Sequence, residues 1–252
     1  MSQSVGRLYI LPDPPALARH VADWLTAAAS AADGPFRVSL SGGSTPKLLY
    51  SLLASREFVN RLPWRNVEWY WGDERLVPYD HPESNYRMVH EAMLAKAPIP
   101  PENIHPIPTD GSSEEAALRY ERTLQKAYGA PVFNPARPFF DVTLLGLGTD
   151  GHTASLLPEE PVLLERKRWV VPVSHGRPEI RITTTYPVIE SSRRVAFLVT
   201  GQEKAAILRA ILAGGSQLPA ARVQAVGELF WFADRAAARD QQMASQASPQ
   251  SP

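Results

Sequence analysis

The stretch that most constrains this chain is FFDVTLLGLGTDGHTASLLP, residues 139–158. Its opening run, 139–147, is apolar and rich in β-branched and aromatic side chains, bounded by Pro138 and by the pair Gly146 and Gly148. A run of that kind fits a strand buried on both faces of a parallel sheet, which has no solvated face to mark with polar residues. The glycine-rich turn then delivers Asp150, Gly151 and His152 at the strand's C-terminal end, ahead of a helical-looking ASLL at 154–157. In open α/β sheets ligands bind along that edge, beside a topological switch point. A histidine and a carboxylate presented there are candidates for catalysis. The same residues also fit a tight turn closed by Asp150 with a surface histidine.

Three further segments end on turns of interest. Residues 36–40 form an alternating strand that runs into SGGSTPKLLYSLLAS, where Ser41, Gly42, Gly43 and Ser44 make the turn. Thr45 is placed as an N-cap and Pro46 suits the first helical position. Glycines let backbone N–H groups approach a ligand, and a helix start adds partial positive charge, so this is a ready anion site. A ligand-free βα connection fits too, but two glycines flanked by two hydroxyls favour phosphate. The segment is neither a Walker loop nor a GxGxxG fingerprint. Residues 67–71 (VEWYW) are the next strand, with Gly72, Asp73, Glu74 and Arg75 at its end, either as solvated turn residues or as part of a site. Residues 195–200 (VAFLVT) are a buried strand leading through Gly201 to a helix over 203–212, with Lys204 in its first turn. A lysine there opposes the helix dipole, so it is either solvated or kept for an anion.

The remaining pattern reads as scaffold: a strand at 7–11, a helix over 15–32, a helix from near Ser84, a Pro-rich loop at 98–110 and a helix over 113–128. Strands at 169–173 and 180–185 follow, then an apolar segment at 229–232 and a short Ala-rich helix. The polar, Ser/Gln-rich tail 240–252 is expected to be disordered. No internal repeat and no Gly/Ser linker divides the chain.

Composition narrows the chemistry. The chain has 252 residues, 44% of them hydrophobic and 21% charged, which supports a full core in one large α/β domain or two small ones. Its 26 Lys and Arg balance 26 Asp and Glu, so nothing argues for nucleic acid or an anionic membrane as partner. A small anionic substrate needs only a few local cations and stays open. Cysteine is absent, which excludes disulfides, thiolate nucleophiles and Cys-based zinc sites. The histidines, at 20, 81, 90, 105, 152 and 175, show no HExxH or paired-ligand spacing, so no metal is expected. His90, His105 and His175 are read as structural or solvated. The N-terminus lacks a basic region followed by a long apolar core, and no window approaches about eighteen uninterrupted apolar residues. The expected setting is a reducing cytoplasm.

Four segments together resemble the 6-phosphogluconolactonases, within the broader glucosamine-6-phosphate isomerase/deaminase superfamily. They are SLSGGSTPKLLY (39–50), WGDERLVPYDHPESNYR (71–87), FDVTLLGLGTDGHTASLLP (140–158) and VTGQEKAAIL (199–208). Weaker echoes are ITTTYPVIESSRRV (182–195) and LPAARV (218–223). The resemblance implies one Rossmann-like α/β domain over 1–239, with a central, mostly parallel sheet and helices on both faces. It also implies hydrolysis of 6-phospho-D-glucono-1,5-lactone to 6-phosphogluconate in the oxidative pentose phosphate pathway, without metal or organic cofactor. The partner is then a small phosphosugar lactone, and the chain a monomer or small homo-oligomer. His152 matches the family's catalytic histidine in GxDGHTAS. Asp73 and Arg75 match the acidic and basic positions of GDER. The SGGSTP turn (Ser41, Gly42, Gly43, Ser44, Thr45) and Lys204 match positions associated with the sugar phosphate. Gly148, Asp150 and Gly151 support the turn.

The chemistry is coherent with those residue types. Lactone hydrolysis needs a base for water, support for negative charge on the carbonyl oxygen, and a proton for the departing ring oxygen. Histidine can serve as base and then acid near neutral pH. Asp73 is expected to orient or tune the site, and two roles fit Arg75: transition-state charge or phosphate. The sister activity, deamination of glucosamine 6-phosphate, is carried in the resembling deaminases by a GHIAFNEP-like run. Here Leu156 and Leu157 stand where proton-transferring Asn and Glu would be, and Asp73-Glu74-Arg75 replaces DEY. A non-catalytic sugar-phosphate sensor of this fold would tolerate loss of His152 and would normally carry a helix-turn-helix segment, for which the N-terminus leaves no room.

Overall fold

The computed structural model describes residues 6–174 and 179–239. In chain order the elements are β1 (Arg7–Leu11), α1 (Pro14–Ser30), β2 (Phe36–Leu40), α2 (Ser44–Leu53), β3 (Val67–Trp71), β4 (Asp73–Arg75), α3 (Asn85–Val89), β5 (Ile104–His105) and α4 (Ser113–Tyr128). They continue with β6 (Val142–Leu145), β7 (Val170–Val173), β8 (Arg181–Thr184), α5 (Tyr186–Glu190), β9 (Arg194–Val199), α6 (Ala205–Leu212) and β10 (Glu228–Asp234). Seven strands form one sheet in the order β1-β10-β9-β6-β2-β3-β5. Every pairing in it is parallel. The early strands β2, β3 and β5 run to one side and β6, β9 and β10 to the other, so the order reverses between β2 and β6. That reversal is the switch point where the C-terminal ends of an α/β sheet open a crevice.

Period-two burial shows why this sheet has no solvated face. Ala196 and Leu198 of β9, with Phe230 and Phe232 of β10, join the core on one face, beneath α1, α2 and α4. Val195, Phe197 and Val199, with Trp231 and Ala233, join the core on the other, beneath α5 and α6. The expectation of a mostly parallel sheet with helices on both faces holds. Helix starts follow local chemistry: Asp13 caps α1 by accepting from the Ala16 N–H at 2.8 Å. Ser112 and Glu115 form a reciprocal capping box on α4.

Several boundaries differ from the sequence reading. The run 139–147 is a regular strand only over Val142–Leu145, because Phe139 and Phe140 instead donate to the Ser191 carbonyl. The segment ASLL is not helical: Ala154 takes a positive φ of 48°, and Thr153 bridges Leu156 in a tight reversal. The expected loop 98–110 contains β5, where His105 stacks on Tyr70 at 4.4 Å and burial lowers its pKa. The helix from Ser84 continues as a π turn over His90–Leu94. After β10 the chain turns over 235–238 where a helix was expected. The larger departure concerns β7 and β8, which leave the main sheet and pair with β4 as a separate antiparallel sheet, β4-β8-β7. His175 and the tail 240–252 lie outside the described residues. No helix among the described residues is long and apolar enough to cross a membrane.

Candidate active site

The turn after β6 is built around glycines. Gly148 N–H donates to the His152 carbonyl at 2.8 Å, Gly151 N–H donates to the Gly148 carbonyl at 3.1 Å, and Thr153 Oγ1 donates to the Gly146 carbonyl at 2.9 Å. One Asp150 carboxylate oxygen accepts from the His152 backbone N–H at 3.1 Å and lies 2.5 Å from His152 Nδ1. A Cβ on Gly148 would fall 2.1 Å from that same Nδ1, so only glycine leaves room for the pair. Burial opposes ionisation of Asp150, but the hydrogen bonds from His152 outweigh it and hold the carboxyl below its ordinary value. The carboxylate therefore fixes Nδ1 as the protonated ring nitrogen and leaves Nε2, with its lone pair, for the cleft.

At the neighbouring strand, Tyr50 of α2 locks the turn after β2. Its hydroxyl accepts from Ser41 N–H at 3.0 Å and donates to the Ser41 carbonyl at 2.9 Å. Burial raises the Tyr50 pKa, which keeps the hydroxyl neutral. Helix α2 starts at Ser44 with Gly43, at φ 105°, as its N-cap. The expected capping role of Thr45 is therefore wrong: Thr45 lies inside the first turn, and its hydroxyl meets Thr200 Oγ1 at 2.6 Å. That contact ties the glycine turn to the end of β9. There Gly201, at φ 96°, donates its N–H to the buried Asp234 carboxylate at 3.2 Å and opens the turn that carries Lys204. Among the described residues no carboxylate pairs with Lys204.

The third contribution comes from the small sheet. Asp73 and Arg75 of β4 pair across the strands with Thr183 and Arg181 of β8. Asp73 is 6% exposed, and its Oδ2 accepts from Ser155 Oγ at 2.8 Å, which the reversal at Ala154 delivers. Arg75 Nη1 donates to the Glu83 carbonyl at 2.5 Å, while its buried Nε meets no protein acceptor. Arg181 is held by Glu179, to which Nε and Nη2 donate at 3.0 and 2.5 Å. Asn85 Nδ2 donates to the Asp73 carbonyl at 2.9 Å, and a Cβ on Gly42 would fall 2.0 Å from Asn85 Oδ1. Gly42 is thus needed for close approach of a side chain as well as for the turn.

All these turns meet in one open cleft of about 440 Å³. Ser41, Gly42, Gly43, Ser44, Thr45, Asp73, Arg75, Gly148, His152 and Lys204 all line it, while Asp150 and Gly151 hold the turn behind His152. Asn85, Arg181 and Asp234 line it as well and were not singled out from sequence. A larger cleft, about 1020 Å³, lies at the opposite end of β1 and β10. Its charged residues, Arg7 and Glu228, pair with each other at 3.0 Å, so it holds no poised chemistry. Among the described residues no cluster of His, Asp or Glu is placed to hold a metal ion.

The order of strands spaces the charges. Lys204 follows β9, His152 follows β6, the glycine turn follows β2, and Arg75 follows β3. From β9 to β3 is three strand spacings, roughly 14 Å at about 4.8 Å each. The cleft therefore has Lys204 toward one end and Arg75 and Arg181 toward the other, beside the carboxylates of Asp73 and Glu179, with His152 and the glycine turn between them.

The family model described as glucosamine-6-phosphate isomerases/6-phosphogluconolactonase matches residues 12–231. A 6-phosphogluconolactonase of Nostoc sp. is 41% identical over 90% of this chain and 95% of its own length. The 6-phosphogluconolactonase of Homo sapiens is 41% identical over 89% of this chain and 88% of its own. The crystal structure of the devB protein superposes with a TM-score of 0.85 at 36% identity, covering 93% of this chain and 98% of that one. The chain belongs to the glucosamine-6-phosphate isomerase/6-phosphogluconolactonase family.

Proposed function

We propose that this protein hydrolyses 6-phospho-D-glucono-1,5-lactone to 6-phosphogluconate, the lactone step of the oxidative pentose phosphate pathway, with His152 as general base. The observation that carries the mechanism is the 2.5 Å contact of His152 Nδ1 with Asp150, in a cleft with Lys204 toward one end and Arg75 and Arg181 toward the other. Nε2 takes a proton from water as its oxygen bonds to the lactone carbonyl carbon. The carbonyl becomes an oxyanion, and Asp150 stabilises the imidazolium that forms. As the oxyanion collapses, the bond from that carbon to the ring oxygen breaks, and the imidazolium returns its proton to the ring oxygen. The carboxylic acid then ionises, so one proton is released per turnover.

The substrate phosphate fits the end formed by Lys204 and the first turn of α2, whose N–H groups have no intrahelical acceptor. Arg75, three strand spacings from Lys204, then serves to counter the oxyanion rather than to bind phosphate. Asp73, held by Ser155, orients the substrate beside it. The sister deamination is disfavoured because Leu156 and Leu157, in place of proton-transferring groups, are buried in the core. The test is to add purified protein to freshly formed phospholactone and follow proton release against spontaneous hydrolysis. No acceleration over that background would overturn the reading.

A further inference from the structure

Glu74 stands between two site residues but is not itself in the cleft. Strand alternation turns Asp73 and Arg75 to the cleft and Glu74 to the interior, where it is 1% exposed. A buried carboxylate needs a full set of donors, and this one has four. Oε1 accepts from the N–H groups of Arg75 at 2.8 Å and Asn85 at 2.7 Å. Oε2 accepts from the Tyr86 N–H at 2.7 Å and from Ser84 Oγ at 3.2 Å. Ser84 Oγ in turn accepts from the Arg87 N–H at 3.1 Å. The opening N–H groups of α3 are thus satisfied from a strand ten residues upstream in the chain rather than by local capping alone.

Two more bonds run between the same segments, Arg75 Nη1 to the Glu83 carbonyl and Asn85 Nδ2 to the Asp73 carbonyl. Glu74 is at the centre of this stitching, since every donor it satisfies belongs to β4 or to residues 84–86. Asn85, fixed by its own N–H on Glu74, is the side chain that presses on Gly42. The brace therefore links the small sheet to the glycine turn of the large one. Burial raises the Glu74 pKa more than the backbone donors lower it.

We propose that Glu74 is a positioning residue for the hydrolytic site, fixing Arg75 in register with His152 through its four hydrogen bonds. The inference rests on the lactonase reading. A displacement of about 1 Å in a positioned group can lower turnover by roughly a hundredfold. Glu74→Gln keeps the shape but turns an NH2 group against two donors. It should lower kcat for the phospholactone by roughly tenfold to a hundredfold. KM should stay within about twofold, because the four donors to Glu74 belong neither to Lys204 nor to the first turn of α2. In an Arg75→Ala background, where the group being positioned is gone, Glu74→Gln should cost less than about threefold more. Ser84→Ala, which leaves three of the four bonds, should cost less than about threefold by itself.

Circular dichroism controls for folding, and Glu74→Asp provides the same cycle if Glu74→Gln does not fold. A folded Glu74→Gln protein with kcat within about twofold of wild type would overturn the inference, as would the same loss with and without Arg75. So would failure of both Glu74 variants to fold, since the role would then be stability. Wild-type turnover is measured first: an inactive wild type defeats the lactonase reading, whereas an active wild type with an active Glu74→Gln defeats this inference alone.

Discussion

The seven-stranded parallel sheet and the three-stranded antiparallel sheet contribute to the same cleft in different ways. The large sheet offers groups on turns beyond its strand ends: His152 after β6, Ser44 and Thr45 after β2, Lys204 after β9. The small sheet offers groups from strand positions themselves, with Arg75 and Arg181 directly paired across β4 and β8. A turn can shape itself around one reacting group, as Gly148 does by making room for the Asp150–His152 pair. A paired strand keeps its cations at fixed spacing, suited to holding charge as it develops. On the proposed reading, proton transfer and phosphate binding fall to the large sheet and charge stabilisation to the small one.

The sharpest way to break that division is His152→Ala. The ring is part-exposed in an open cleft, with a side-chain exposure of 26%, so truncation should leave the fold intact. Positioned acid–base groups contribute about 10²–10⁴-fold, and kcat should fall by that order while KM changes little. A folded variant with near wild-type turnover would remove proton transfer from the large sheet.

Lys204→Ala should act at the other function assigned to the large sheet. Charge-assisted contacts contribute about 1.5–3 kcal/mol each, so kcat/KM should fall roughly tenfold to a hundredfold. The loss should nearly vanish with unphosphorylated gluconolactone, itself a much poorer substrate. Arg75→Ala should do the reverse and lower turnover on both lactones. Equal losses for the two variants on both substrates would collapse the two ends into one.

The large sheet was the legible part of the molecule. Most of its strands announce themselves as apolar runs, β5 excepted, and period and punctuation placed His152, Lys204 and the SGGST segment on turns at strand ends, while only the family resemblance favoured them as site residues over solvated ones. The small sheet was not legible in the same way. Asp73, Glu74 and Arg75 look like a solvated turn because their partners, Thr183, Ile182 and Arg181, are more than a hundred residues away. Asn85 and Arg181 were missed for the same reason, since nothing near them in sequence marks a cleft. Ala154 misled differently: ASLL has helical composition, and the tertiary bond from Ser155 to Asp73 prevails over that propensity.

The smallest effect is also the one that separates the sheets by sign. Asp150, on a large-sheet turn, has a folded pKa held below its unfolded value of about 3.9. Its contribution to stability is therefore present above that value and is lost as pH falls through the lower, folded pKa. Glu74, in the small sheet, has a folded pKa raised above its unfolded value of about 4.3. It favours the folded state below that value, and this advantage is lost as pH rises through the folded pKa. Denaturant unfolding from about pH 7 down to pH 3 should show wild type losing ground to Asp150→Asn and gaining ground on Glu74→Gln. The Asp150 side chain is 42% exposed, so solvent screening should keep its part below about 1 kcal/mol. In thermal terms that is under about 4 °C for a chain of this size, which makes the direction of each trend the reading that counts. Parallel trends in the two variants would mean that the two carboxylates share one environment, and the contrast between a turn-built and a strand-built half of the site would lose its electrostatic basis.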